Sequence, residues 1–176
     1  MARDYLATEL DGEPEEYTVD IRPAPPSVPG DESAVRIAAA VDSADRRGWM
    51  TPDRTAAEVD EALRDGDELW AFKLVVQARD EVATMIRTGD EASAAWLFRS
   101  RPISDERYDV LLAALIEHEF DQRDCRLTPR WTGDLRLKDP WIQPNPRWGA
   151  DWTREHTPTW LAERGIFISA HDLTTA

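Results

Sequence analysis

Side chains capable of acid–base or metal chemistry gather in one run, IEHEFDQRDC, residues 116–125. Glu117 and Asp121 stand four apart, as do His118 and Gln122, so on a helix each pair shares a face. A carboxylate pair on one face can bind a divalent cation, and His118 beside it has the chemistry of a general base. The pattern is not H-E-x-x-H, because the residue four after His118 is Gln122, and a zinc site would need a third ligand. Glu117, His118 and Asp121 are therefore expected on a solvated helix face. Cys125, His118 and Asp124 have the residue types of a thiol triad, but nothing nearby supplies an activating base or an oxyanion site. Cys125 is expected to pack or to sit idle at a helix end. His156, beside Thr157-Pro158, can hydrogen-bond a helix start, and His171 reads as a surface residue. There is no G-x-G-x-x-G, P-loop, C-x-x-C or G-x-S-x-G motif. These residues assign no catalytic group, no metal ligand and no cofactor. An enzyme of unknown type, with a metal or a general base near Glu117, His118 and Asp121, stands as one alternative.

The tryptophans are the stronger signal. Trp141, Trp148, Trp152 and Trp160, half of the chain's 8, fall in the proline-rich stretch DPWIQPNPRWGADWTREHTPTW. An irregular segment has few backbone pairs, so side chains must hold it in place. Residues 129–160 are expected to form an irregular strap across a helical bundle. Trp131, Trp141 and Trp160 lie beside apolar or helical residues and are expected to hold it down. Trp148 and Trp152 sit among polar residues and are expected to be partly exposed. With Arg147 and Arg154 they make the composition that interface centres favour, so these four are the candidate partner-binding residues.

The secondary structure around these residues reads as mainly α. Residues 1–30 mix acids with prolines and end in RPAPPSVPG, an acidic tail or linker with one marginal strand, Tyr17–Ile21. Residues 31–176 read as a single helical domain. Its first helix puts Val35, Ile37, Ala38 and Val41 on one face. The second starts at Thr51 as N-cap, with Pro52 at N1. The third opens at Asp67 and Glu68, carries a stripe of Leu69, Phe72, Val76 and Ala83, and ends at Gly89. A shorter helix covers DEASAAWLFRSRP. The clearest is SDERYDVLLAALIEHEFDQRD, capped by Ser104, with Tyr108, Leu111, Leu112, Leu115, Ile116 and Phe120 facing a core. A last helix is expected from Thr157 with Pro158 at N1, followed by IFIS as a short buried strand or packed tail.

Composition bounds the function. The chain has 176 residues, is 41% hydrophobic and carries a net charge of −14. It can bury a core, and direct nucleic-acid binding is disfavoured because phosphate must be met by Lys and Arg. Residues 1–67 hold 17 acids against 7 bases, whereas Cys125–Ala176 holds 6 against 7, so the tryptophan strap is nearly neutral. There is one cysteine, no secretory pattern at the N-terminus and no apolar run of membrane-spanning length. A cytoplasmic protein without membrane contact is expected.

From about Ala94 onward the chain resembles a set of small actinobacterial proteins. The segments RPISDERYDVLLAALIEHE, LTPRW, DPW, TPTWLAERGIFIS and DLTTA carry the likeness. Members of that set often stand beside nucleotidyltransferase toxins and are taken as antitoxin-like or regulatory partners. The resemblance therefore implies a non-enzymatic, antitoxin-like neutraliser or regulator whose partner is a neighbouring nucleotidyltransferase-type toxin. It carries over no catalytic residue. The acidic N-terminal part departs from the set and no helix-turn-helix is evident, which argues against self-regulation by DNA binding; a transcription-linked regulator stands as a further alternative.

Overall fold

The computed structural model describes residues 31–123, 125, 127–144 and 147–174; the tail 1–30, with the expected strand Tyr17–Ile21, lies outside them. Helix α1 spans Asp31–Arg47, α2 Pro52–Arg64 and α3 Glu68–Thr88; a short 3-10 helix covers Glu91–Leu97, and α4 spans Glu106–Asp121. Local signals start and stop them. Thr51 accepts a hydrogen bond from the Arg54 N–H at 3.3 Å ahead of Pro52, and Asp67 accepts from the Trp70 N–H at 2.8 Å. Both satisfy amides that a helix start leaves without partners. Gly89 closes α3 in the left-handed conformation, φ 66°.

Packing then ties distant elements together. Helix α3 lies against α2 on one side and α4 on the other, and α1 lies on the 3-10 helix. Helix α4 is the centre: every residue from Tyr108 to Ile116 is buried. A helix apolar on nearly all sides needs neighbours all round, and the strap supplies the outer ones. Asp109 is the one acid in that buried run. Arg99 pairs with it through both carboxylate oxygens, one contact at 2.9 Å, and the Ile103 N–H donates to it at 2.8 Å. The same guanidinium lies 4.3 Å over the Trp131 ring, so a desolvated charge is met on every side.

The strap has more regular structure than its prolines suggest. After a 3-10 turn at Arg130–Thr132 it contains β1 (Trp141–Ile142) and α5 (Ala150–Glu155); α6 (Thr159–Ala162) and β2 (Ile166–Phe167) follow. Strands β1 and β2 pair in parallel, Trp141 with Ile166 and Ile142 with Phe167. Gly165 turns the chain into β2 at φ 78°, where a side chain would also meet the Leu137 carbonyl oxygen at 3.2 Å. Most of the strap is irregular, as expected, and its short elements form where packing on the helical body repays them. The tryptophans do fasten it. Trp131 donates its indole N–H to the Trp96 carbonyl at 2.8 Å, and Trp96 donates to that of Met50 at 3.2 Å. Trp141 is buried against Tyr108, ring centroids 5.3 Å apart, and Trp160 stacks on His118 at 4.2 Å. The whole is a mainly α single domain with a minimal two-stranded sheet.

Several expected details differ. Asp105, not Ser104, caps α4, accepting from the Arg107 N–H at 2.9 Å; Ser104 instead donates its N–H to Asp60 of α2 at 2.8 Å. The expected fourth helix is a 3-10 helix. Pro158 is the N-cap of α6, not its first residue. On α1, Val35 and Ala38 face solvent and the buried residues are Ala40, Ser43 and Ala44. On α3, Leu69 is 63% exposed, while Ala71, Leu74, Ala78 and Met85 join the core. Periodicity finds an apolar stripe, but only a neighbouring element makes it a buried one.

Candidate functional site

Glu117, His118 and Asp121 do share one depression, about 290 Å³, with Asp134, Arg136, Trp160, Glu163 and Arg164. Glu117 and His118 are already committed to the fold, whereas Asp121 is exposed. Arg164 reaches from beyond α6 to pair with Glu117, and donates to the Thr132 carbonyl at 2.8 Å and the Leu135 carbonyl at 3.2 Å. The expectation that Glu117 faces solvent is thus corrected: it is half-buried and helps fasten the strap. One face of the His118 ring is covered by Trp160, their planes 9° apart. Burial holds the His118 pKa below its ordinary value, the nearby Glu119 and Asp121 carboxylates only partly opposing this. Among the described residues no group of three or more His, Cys, Asp or Glu is placed to hold a metal ion. Cys125 is half-buried against the core beside Phe120 and Leu127, apart from His118 and its depression.

The partner-binding residues expected from the sequence fall elsewhere, on the outer edge of the strap. Trp148, Trp152 and His156 are spaced by four residues, which puts them above one another on a helix face. The bend at Trp148, helix α5 with Trp152, and its C-cap His156 realise that spacing. Trp148 and Trp152 stack at 4.2 Å between centroids, and Trp152 and His156 stack at 3.9 Å. His171 meets the edge of Trp148 at 6.4 Å and 78°. The four rings and Ala170 line an apolar depression of about 340 Å³. The column is held from below. Thr153 is buried, its N–H bonded to the Gly149 carbonyl at 3.0 Å, and the Ala170 N–H donates to the His156 carbonyl at 3.1 Å. His156 therefore closes a helix rather than starting one: its Nδ1 lies 2.8 Å from the Trp152 carbonyl, which accepts. Trp148 and Trp152 are partly exposed, as the sequence suggested; Arg147 and Arg154 are exposed. Arg154 pairs with Asp151 at 3.2 Å. His156 and His171 complete this surface and were not read as part of it; the W-x-x-x-W-x-x-x-H spacing was the available signal.

A second aromatic surface adjoins. A groove of about 740 Å³ runs along α3, lined by Leu69, Trp70, Lys73, Val76, Gln77, Asp80, Glu81 and Thr84, with Trp49, Gln143, Pro144, Arg147, Asp172 and Thr174 opposite. Trp70 is 49% exposed. It begins the polar stripe of α3, followed by Lys73, Gln77, Asp80 and Thr84 at helical spacing. A tryptophan on that stripe was the sequence signal for the groove. Among the described residues no helix is long and apolar enough to cross a membrane. Comparison with protein-family models, with curated proteins and with solved structures finds no match to this chain.

Proposed function

We propose that this chain is a non-catalytic protein-binding module, an antitoxin-like neutraliser or regulator, and that Trp148, Trp152, Arg147 and Arg154 contact its partner. The observation that carries this reading is the stacked column of Trp148, Trp152 and His156 standing at the surface. Two partly exposed indoles held in one orientation lose little side-chain entropy on binding, and Trp flanked by Arg is the composition of interface anchors. The net charge of −14 favours a partner with a basic face. The likeness of residues 94–176 to antitoxin-like proteins points the same way, and names a nucleotidyltransferase-type toxin encoded nearby as the first partner to try. Co-expression with that neighbouring protein, followed by size-exclusion chromatography, tests the reading. Co-elution that is lost in Trp148→Ala supports it, and separate elution of two folded proteins contradicts it.

A further inference from the structure

The groove along α3 leaves Leu69 and Trp70, two large apolar side chains, 63% and 49% exposed, and Trp49 and Pro144 line it with them. Its volume, about 740 Å³, lies within the range of small-molecule sites, about 300–1,000 Å³. A ligand seated there takes exposed apolar surface out of water. The indoles of Trp49 and Trp70 suit a flat aromatic body, which can stack on them offset or edge-on. Charge selects neither sign. Lys73 and Arg147 line the groove together with Asp80, Glu81 and Asp172. The carboxylates are already bonded: Glu81 accepts from the Met50 N–H at 2.5 Å and from the Gln77 amide at 2.8 Å, Asp80 lies 2.7 Å from Arg79, and Asp172 accepts from the Ser169 hydroxyl at 2.8 Å. A cationic ligand meets Lys73 and Arg147, and an anionic one meets three carboxylates. A neutral molecule is opposed by neither set.

One polar need remains. Among the described residues that line the groove, only Gln143 has a buried side-chain atom without a hydrogen-bond partner, its Oε1. The backbone there is fixed: the Gln143 N–H donates to the Phe167 carbonyl at 3.0 Å, extending the β1–β2 pairing. A buried carbonyl oxygen without a donor is a standing cost to the folded chain, and a native structure rarely keeps one without a reason. A ligand N–H or O–H removes that cost. We infer that the groove binds a neutral, flat aromatic molecule carrying one N–H or O–H, of indole or phenol type, with its ring against Trp70 and its donor on Gln143 Oε1. The site lies apart from the column of Trp148, Trp152 and His156, and the inference goes beyond the partner-binding reading without resting on it.

Titration calorimetry on the full chain tests it with two probes of nearly the same shape, indole, which has an N–H, and 1-methylindole, which has none. Indole is expected to saturate one site per chain, and 1-methylindole to bind about fivefold more weakly, the scale of one net hydrogen bond. Trp70→Ala should weaken both probes about tenfold in a protein that melts normally, since that ring is half exposed. Gln143→Met keeps the side-chain length and removes the unmet acceptor. It should raise the melting temperature of the ligand-free protein and erase the difference between the two probes. The inference is overturned if indole shows no saturable binding, if Trp70→Ala leaves its affinity unchanged, or if 1-methylindole binds as tightly as indole. A Gln143→Met protein that melts lower than the parent also overturns it, because the amide then serves the fold. A full chain that self-associates through Trp70 and binds no indole makes a second copy the occupant, which overturns it as well.

Discussion

Replacing Arg164 by Met removes the fastening between the strap and α4 while keeping most of the side-chain volume. The Arg164 side chain is 15% exposed and serves three acceptors: the Glu117 carboxylate and the carbonyls of Thr132 and Leu135. Hydrogen bonds made by a charged group contribute about 1.5–3 kcal/mol when buried. Glu117, at 31% exposure, can turn to water, which discounts its share. The two carbonyls lose their guanidinium donor with less relief. We expect a loss of about 3 kcal/mol, which for a domain of this size lowers the melting temperature by roughly 6–12 °C. Glu117→Gln keeps an acceptor for Arg164 and should cost about 1 kcal/mol. Melting curves of both variants and of the double variant form a cycle, and the two changes should be less than additive because they share one contact. If Arg164→Met melts within a degree or two of the parent, the strap is not fastened this way. If Glu117→Gln is the costlier change, Glu117 has a role the ion pair does not explain.

Other outcomes follow from the same packing. Leu112 is fully buried at the centre of α4, so Leu112→Asp should cost upwards of about 4 kcal/mol and abolish the folded circular-dichroism signal. Trp141→Ala should destabilise by about 3–5 kcal/mol by emptying the site over Tyr108, read by thermal melting. His118 titrates below its ordinary value because burial favours the neutral ring, so the unfolded chain binds the proton more readily. Its contribution is therefore complete above about pH 6.5 and is lost as pH falls toward the lowered folded-state pKa. Comparing the pH dependence of melting for the parent and His118→Gln should show a shallower acid-side decline in the variant, and identical profiles would refute this assignment.

What could be read from the sequence was whatever depends on near neighbours. Thr51 and Gly89 cap their helices as expected, because a cap is made within one turn; Asp67, expected inside the start of α3, is its N-cap. Ser104 and Asp105 are both competent caps, and the choice between them was set by Asp60, 44 residues away. The stripes on α1 and α3 were visible, but which part faces a neighbour depends on docking, and Val35 and Leu69 were left outside. The pairing of Glu117 with Arg164 spans 47 residues, so no spacing rule could find it. For the candidate binding surface, Trp148 and Trp152 were identified from their polar surroundings. The column they form with His156 was hidden because Gly149 and the prolines around it argue against helix, and a six-residue helix survives only where Thr153 is buried beneath it.

Titration calorimetry with the nucleotidyltransferase-type toxin proposed as partner is the sharpest check on whether the tryptophan edge of the strap binds a protein. Parent, Trp148→Ala and Trp152→Ala should be compared alongside their melting curves. We expect saturable binding by the parent, weakened by more than about 1 kcal/mol in each variant, with melting lowered by no more than about 4 °C, since both rings are only partly buried. Parent-like affinity in both variants, or variants that unfold rather than lose binding, would contradict the account and make the stacked rings part of the core.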